Sequence, residues 1–515
     1  MPPWSLPRPA STSAKSSADS PAPPTHMNWK LLCKVLGLIV FLLAGAMLLC
    51  EFYALSSEDA GGGAGHDFAL LKSFVMATLL GTGLLVAGRG SGDQILRKEA
   101  IAIVGLGWLV SAVTGAIPYV LCATPLGIVD AIFESASGFT TTGATVIPDL
   151  DIMPHSILLW RSTTQWLGGM GILVLFVALL SNFGAAGKSL FQHESSAKSG
   201  YGFHSRIRQT AIRLWQIYTG LTVICIFGLV LLGMSFYDAV LHAFSAVSTG
   251  GFSPENTSVQ AYDSLAIDVW LCIFMALGGA NFLLMAWLLR GGHVRVRRDE
   301  ELRAYLGILV GASVLVAWNL VASGLYDFGQ ALRFASFQVV SLMTTTGFAT
   351  ADFAAWPAFS QALLVFLMFI GGCAGSTSGG IKVNRIVIFC KAAAQQTIVA
   401  FRPNHHLPVK LNGEPLDTAV VVRALFFVAL STVVVGISCV LLSSLEPGIG
   451  LTGTFTAVVA SLFNIGPGLA EVGPTRNFAF FGSDSKVFLS LLMILGRLEF
   501  FGLLALMVPA LWKKY

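Results

Sequence analysis

The chain has 515 residues, of which 55% are hydrophobic and only 11% charged, with a mean hydropathy of +0.75. That balance excludes a soluble globular protein and places the chain in a membrane. The formal net charge of +4 is modest and argues against nucleic acid as a partner; in a membrane chain the placement of Lys and Arg carries more information than their sum.

Residues 1–27 are rich in Pro, Ser and Ala and hold no apolar run, so they read as a disordered tail without a signal peptide, with Met27 a candidate start. From Leu31 to Leu511, apolar stretches of about the 20 residues needed to cross a bilayer recur. No long polar region separates them, and no separate soluble domain fits. The runs predict helices near 30–52, 68–88, 99–122, 156–182, 208–235, 264–290, 302–325, 358–390, 417–444 and 485–512. The eight cysteines (33, 50, 122, 225, 272, 373, 390 and 439) stand singly in or beside these runs and read as buried thiols rather than disulfides or metal ligands.

An even number of spans puts both termini on one side, and the charges decide which side. One set of breaks carries Arg89, Arg97 and Lys98, then Lys188, Lys198, Arg206 and Arg208, then Arg295, Arg297 and Arg298, then Lys382, Arg385, Lys391, Arg402 and Lys410. These predict the cytoplasmic side, as do Lys30, Lys34, Lys513 and Lys514 near the two ends. The opposite set carries Glu58, Asp59, Asp67, Asp149, Asp151, Glu255, Asp263, Asp352 and Glu471, with Lys72, Arg161, Arg333 and Arg476 as basic exceptions.

The third predicted helix is followed by Asp130 to Thr145, DAIFESASGFTTTGAT, too short and too polar at its end to cross a membrane. The design recurs as Asp238–Phe252 (DAVLHAFSAVSTGGF), Ala335–Phe348 (ASFQVVSLMTTTGF) and, most divergently, Phe455–Leu469 (FTAVVASLFNIGPGL). Each copy lies between two spans, on the outer side. The predicted fold is therefore an all-α integral membrane protein of four tandem helix–pore-loop–helix repeats in pseudo-fourfold arrangement, with two extra N-terminal transmembrane helices. The division is a tail over 1–27, two extra helices over 28–92, and repeats over 93–186, 187–292, 293–410 and 411–515.

Extended backbone inside a membrane is tolerated only where protein buries it or where it lines a watery path. Rings of main-chain carbonyls there replace the hydration shell of a potassium ion without burying a charge. Aiming successive carbonyls at one axis needs dihedrals that Gly adopts most cheaply, which fits Gly143, Gly347, the pair Gly250 and Gly251, and the pair Gly466 and Gly468. The expected filter is Thr141, Thr142 and Gly143; Thr249, Gly250 and Gly251; Thr345, Thr346 and Gly347; and Asn464, Ile465 and Gly466 or Gly468. The Thr hydroxyls serve either as further ligands or as anchors. The short preceding helices point their partly negative C-terminal ends at the axis, and Asp130 and Asp238 stand where their N-caps are expected. The competing reading is that Thr-Thr-Thr-Gly strings are small-residue packing surfaces of ordinary helices.

Two further features concern passage. Arg497 lies in the apolar run Phe488–Val508, where a charge costs at least a few kcal/mol unless it faces water or a partner; Glu499, two positions on, points to another face. A salt bridge that only pins helices is the alternative to a functional role. The segment Gly371–Gly380, GGCAGSTSGG, weakens the second helix of the third repeat. It reads either as an unwound, movable loop (Gly375, Ser376, Thr377, Ser378, Gly379 and Gly380, with Lys382 at its cytoplasmic end) or as a helix seam with GxxxG spacing at Gly371, Gly375 and Gly379. It is not a phosphate loop, because Ile381 separates Gly380 from the Lys and no strand precedes it. His405 and His406, and the loops 183–207 and 291–301, are either solvated or partner-facing.

At Thr-Thr-Thr-Gly143, Ser-Thr-Gly-Gly-Phe252, Thr-Thr-Thr-Gly-Phe348, Asn-Ile-Gly-Pro-Gly468 and Gly-Arg-Leu-Glu499 the chain resembles the Trk, Ktr and HKT superfamily of potassium transporters, most of all the bacterial Trk potassium-uptake membrane subunit. The resemblance runs from about Asn28 to the C-terminus, and the two extra N-terminal spans are Trk-like. It implies a subunit conducting K+, with Rb+ possible and Na+ less so, through one pore. K+ in the filter is then the bound metal ion, with no organic cofactor. It further implies a homodimer in the bacterial inner membrane, gated by a separate cytoplasmic nucleotide-binding subunit of RCK type. The matching Arg projects into the pore beneath the filter, and the matching loop crosses the path as a gate. A Gly in all four repeats goes with potassium preference, a Ser in the first with sodium. Two other classes fit less well: an organic-solute transporter would be expected to use inverted repeats, whereas these all run the same way, and a membrane enzyme would need paired carboxylates, a metal cluster or an activated nucleophile inside the spans.

Overall fold

The computed structural model describes residues 27–56, 68–91, 97–171, 207–402 and 408–512. The expectations on the tail, on Glu58, Asp59 and Asp67, on 172–182, on Lys188, Lys198 and Arg206 within the 183–207 loop, on His405 and His406, and on Lys513 and Lys514 lie outside the described residues.

Helices α1 (Trp29–Ser56) and α2 (Ala69–Ala87) form a hairpin. Their axes approach closely because small residues face each other: a Cβ added at Gly37 would lie 3.0 Å from the carbonyl oxygen of Gly81. The hairpin packs on α3 (Arg97–Leu121) and α5 (His155–Gly169), where Cys50 Sγ lies 3.4 Å from Thr163 Oγ1.

Four units follow. The first is α3, the short re-entrant α4 (Ile128–Phe139) and α5. The second is α6 (Ile207–Leu231), the short α7 (Phe236–Val247), and α8 (Leu265–Gly278) with α9 (Phe282–Leu288). A six-residue helix, α10 (His293–Arg298), leads to the third: α11 (Glu300–Ala322), the short α12 (Phe328–Met343), and α13 (Ala358–Phe369) with α14 (Val383–Phe401). A hairpin turning at Asn412-Gly413 leads to α15 (Thr418–Leu445), the short α16 (Leu451–Phe463), and α17 (Ser483–Arg497) with α18 (Phe501–Met507) and α19 (Pro509–Trp512). The second helix of each unit packs on the short helix of the next: α5 on α7, α8 on α12, α13 on α16, and α17 on α4, which closes the circle. This is the four-repeat, pseudo-fourfold membrane fold that the patterning predicts. Its outward faces are apolar, with Leu79 68%, Phe227 65%, Trp318 65% and Val440 71% exposed, as lipid contact requires.

Three expectations are corrected. The stretches 264–290, 358–390 and 485–512 are not single helices, and the one begun near 156 ends at Gly169: α8 and α9 meet at 101°, α13 ends at Phe369 with α14 starting at Val383, and α17 ends at Arg497, with Glu499 and Phe500 at φ 50° and 68°. Asp130 and Asp238 are not N-caps. They sit inside the first turns of α4 and α7, where Asp130 takes a hydrogen bond from Lys486 (2.6 Å) and the true cap of α7 is Ser235, whose Oγ accepts from Asp238 N. The cysteines form no disulfide among the described residues, but only Cys50, Cys122, Cys225 and Cys373 are buried; Cys390 is exposed.

Candidate functional site

Each short helix ends in the same way. Thr141, Thr249, Thr345 and Asn464 take left-handed dihedrals, with φ of 54°, 55°, 58° and 57°. The next residue turns its N–H back to the helix: Thr142 to Ser137 O (2.8 Å), Gly250 to Ser245 O (2.8 Å), Thr346 to Ser341 O (2.8 Å), Ile465 to Ala460 O (2.9 Å). This six-to-one closure ends a helix through a left-handed residue, and it leads at once into Gly143, Gly251, Gly347 and Gly466, at φ 84°, 79°, 85° and 96°. The helix termini, with their partial negative charge, therefore adjoin the four glycines.

Those glycines touch in a circle. A Cβ added at Gly143 would lie 2.3 Å from the carbonyl oxygen of Gly250, one at Gly251 1.8 Å from that of Thr346, one at Gly347 2.1 Å from that of Ile465, and one at Gly466 2.8 Å from that of Thr142. Each unit meets the next and the fourth meets the first. Side chains have no room there, and L residues are disfavoured at such dihedrals. Gly466 is the fourth unit's equivalent; Gly468 lacks a positive φ and instead packs against Thr456 and Val472.

The hydroxyls divide. Thr142 and Thr346 hydroxyls lie 2.8 Å from those of Thr140 and Thr344, Thr345 Oγ1 accepts from Gly379 N (2.7 Å), and Thr249 Oγ1 donates to Ser248 O (2.7 Å). Thr141 Oγ1 and Asn464 Oδ1 are buried without a partner.

Behind the ring stands a strut that sequence reasoning missed. Arg161, read as an outward-facing exception, is 3% exposed; its Nε donates to Glu134 (2.6 Å), its Nη1 to Ser253 O (2.9 Å), and its guanidinium covers the Phe252 ring at 3.5 Å. Glu134 in turn accepts from Val146 N (3.0 Å) and Thr145 Oγ1 (3.0 Å). Two opposite charges inside apolar runs were the available signal. One turn along α5 from Arg161, Gln165 reaches the second unit's main chain. Arg333, another basic exception, bridges Asp268 (2.7 Å) and Asp263 (3.1 Å). Glu255, just beyond the second ring segment, has its carboxyl raised by partial burial and by Asp238 and Asp151 nearby.

The segment 371–380 is not a GxxxG helix. It is a loop closed at its neck by a bridge between Ile370 and Ile381, with Gly375 and Gly380 at positive φ. It fills the helix break of the second unit: Cys373 N donates to Gly279 O (2.8 Å), Thr377 N and Oγ1 to Gly278 O (3.1 and 3.0 Å), and Phe282 N to Gly375 O (3.2 Å). At its other edge a Cβ on Gly379 would come 2.3 Å from Phe463 O. Lys382 is 8% exposed rather than solvated, and it donates to Ser378 O. Glu301 at the start of α11 accepts from Ala374 N (2.6 Å) and Asn384 N (3.2 Å). Arg497 meets the loop, donating to Thr377 O (2.8 Å) and to Gly168 O and Gly169 O (3.0 and 3.1 Å). Glu499 pairs with Arg385. In the 291–301 segment, the exposed Arg295 stacks over Trp287 at 3.8 Å.

The comparisons with known proteins agree with this architecture. A family model described as TrkH, cation transport protein, matches residues 66–514. The Trk system potassium uptake protein TrkH of Salmonella typhimurium is 38% identical over 95% of this chain and 100% of its own length. The protein of the same name from Vibrio parahaemolyticus is 36% identical, again over 95% and 100%. The crystal structure of the potassium transporter TrkH from Vibrio parahaemolyticus superposes with a TM-score of 0.84 at 34% identity, covering 95% of this chain and 100% of that one. The chain belongs to the TrkH family of cation transport proteins.

Proposed function

We propose that this chain is a potassium-uptake subunit in which Thr141, Thr142, Gly143, Thr249, Gly250, Gly251, Thr345, Thr346, Gly347, Asn464, Ile465 and Gly466 form a selectivity filter. The observation that carries the reading is the closed circle of glycine-to-carbonyl approaches, which brings four equivalent main-chain segments around one axis. Carbonyl oxygens at such an axis replace an ion's water shell, and the helix ends behind them favour a cation. The relatives named above are potassium uptake proteins, which selects K+ as the cargo.

Beneath the filter, the loop containing Gly375, Ser376, Thr377, Ser378, Gly379 and Gly380 is the gate, with Lys382 holding its end and Arg497 tying it to the first and fourth units. The family resemblance supports a homodimer in the bacterial inner membrane with cytoplasmic termini, controlled by a separate nucleotide-binding partner on the Arg- and Lys-rich face.

Purified protein in liposomes, assayed for K+, Rb+ and Na+ flux, tests both parts. Gly143→Ser, forced into a left-handed dihedral against the Gly250 carbonyl, raises the Na+:K+ flux ratio by about tenfold, the effect of ~1.4 kcal/mol of lost discrimination. Arg497→Ala raises K+ flux. An unchanged ratio in Gly143→Ser would overturn the filter assignment.

A further inference from the structure

The four filter segments differ most in bulk at the residue just before the ring glycine. The residue before the ring glycine is Thr142 in the first unit, Thr346 in the third and Ile465 in the fourth, but Gly250 in the second. The two Thr side chains anchor backwards on Thr140 and Thr344 at 2.8 Å. Ile465 fills the same position with apolar volume and is fully buried. Gly250 has no side chain to do either.

Gln165, from the first unit's α5, occupies that space. A Cβ added at Gly250 would lie 2.4 Å from Gln165 Cδ and 2.5 Å from its Oε1, so the amide sits where a side chain would begin. Gln165 is fully buried, its Nε2 donates to Gly250 O at 2.6 Å, and its Oε1 accepts from Phe252 N at 3.0 Å. Only this orientation of the amide satisfies both main-chain groups. Among the described residues the Thr142, Thr346 and Ile465 carbonyls accept no such side-chain N–H, whereas the second unit's carbonyl has one lone pair engaged from outside the ring.

We propose that Gln165 is a positioning residue of the filter, supplying from the neighbouring unit the anchor that Thr142 and Thr346 supply within their own, and thereby setting the ion selectivity of the ring. The proposal rests on the filter reading above. Gly250 follows from Gln165 rather than from a dihedral requirement, since Gly250 lacks a positive φ. The pair is complementary: the large amide needs the missing side chain, and the missing side chain needs the amide.

The test is a rescue in liposomes, with Na+:K+ and Rb+:K+ flux ratios as the readout and elution of the detergent-purified protein as the check on folding. Gln165→Met, close in size but without the amide, shifts the Na+:K+ ratio by about threefold or more, the scale of one lost buried hydrogen bond. Gly250→Thr alone collides with the Gln165 amide and loses selective K+ flux. Combining Gln165→Ala with Gly250→Thr re-creates the arrangement of the first and third units and restores the ratio to within about threefold of the native one, a coupling that independent sites do not show. Native ratios in Gln165→Met, or a double variant no better than Gly250→Thr, overturn the proposal. Gly347→Ser in parallel separates the two levels. If it alters the ratio while the Gln165 variants do not, only the role of Gln165 falls; if it too is inert, the filter reading falls with it.

Discussion

The glycine ring and the layer beneath it are built on opposite plans. In the ring, four divergent sequences reach the same dihedrals: φ of 54° to 58° at one residue and of 79° to 96° two residues later. Beneath it, the second helices stop four different ways. The helix α5 ends at Gly169, α8 bends by 101° into α9, α13 opens into a thirteen-residue stretch before α14, and α17 breaks over Leu498–Phe500. On the proposed filter reading, ligands that share one ion must be equivalent, which accounts for a main chain repeated even where Thr-Thr becomes Asn-Ile. On the proposed gate reading, a gate need act at only one point on the circumference, which would leave the layer below free to lose its symmetry.

The fourth unit offers the strongest way to break this comparison. Gly466→Ala forces an L residue to φ 96° with its Cβ 2.8 Å from Thr142 O, and it loses K+ uptake and K+ over Na+ selectivity by at least about tenfold. Gly468→Ala instead presses on Thr456 and Val472, two side chains outside the ring. It lowers the thermal midpoint, at a cost of ~1–3 kcal/mol for overpacking, while the folded protein keeps its ion ratios. Flux ratios and melting curves on both variants check this, and the reverse assignment would show the fourth unit to be out of register.

Glu301 sharpens the other half. It takes two main-chain N–H groups, one from the loop and one from the first turn of α14, and so holds the loop to the N-terminal end of α11. Glu301→Ala leaves both donors without that acceptor, at ~1–3 kcal/mol for the buried Ala374 N–H, and so loosens the loop. Rb+ flux rises several-fold with ion ratios unchanged, and Glu301→Gln, which still accepts, falls between the variant and the native protein. A changed Na+:K+ ratio would mean that loop and ring are one element rather than two.

Repetition is what made the fold and the ring legible in the sequence. Four copies of a short apolar helix ending in Thr or Asn and Gly locate the ring, and composition locates the spans. What escaped was the asymmetric part. Glu134, Arg161 and Gln165 lie in runs that pattern reading assigns to helix, and their meaning depends on which unit they face across the circle. Arg497 stands out as a charge inside an apolar run, and the same physical argument holds for Glu134 and Arg161, whose opposite charges satisfy each other. The break after Gly278 was invisible for a related reason. Its freed N–H and C=O groups are satisfied by a loop almost a hundred residues later, which no local propensity reports.

The mouth of the ring adds the smallest test. Glu255 follows the second segment by four residues, and burial together with Asp238 and Asp151 raises its carboxyl above the ordinary range. A raised carboxyl binds its proton at a higher pH than an ordinary one, so acidification removes this charge early. A negative mouth concentrates K+ and Na+ alike, because an exposed charge acts on ions that still carry their water. Apparent K+ affinity in liposomes therefore weakens as pH falls towards the carboxylate range, by about twofold or less given screening by salt, and the Na+:K+ ratio stays constant. Glu255→Gln weakens affinity at neutral pH and flattens that pH dependence. A ratio that moved with pH would put discrimination in the carboxylates of the mouth rather than in the carbonyls of the ring.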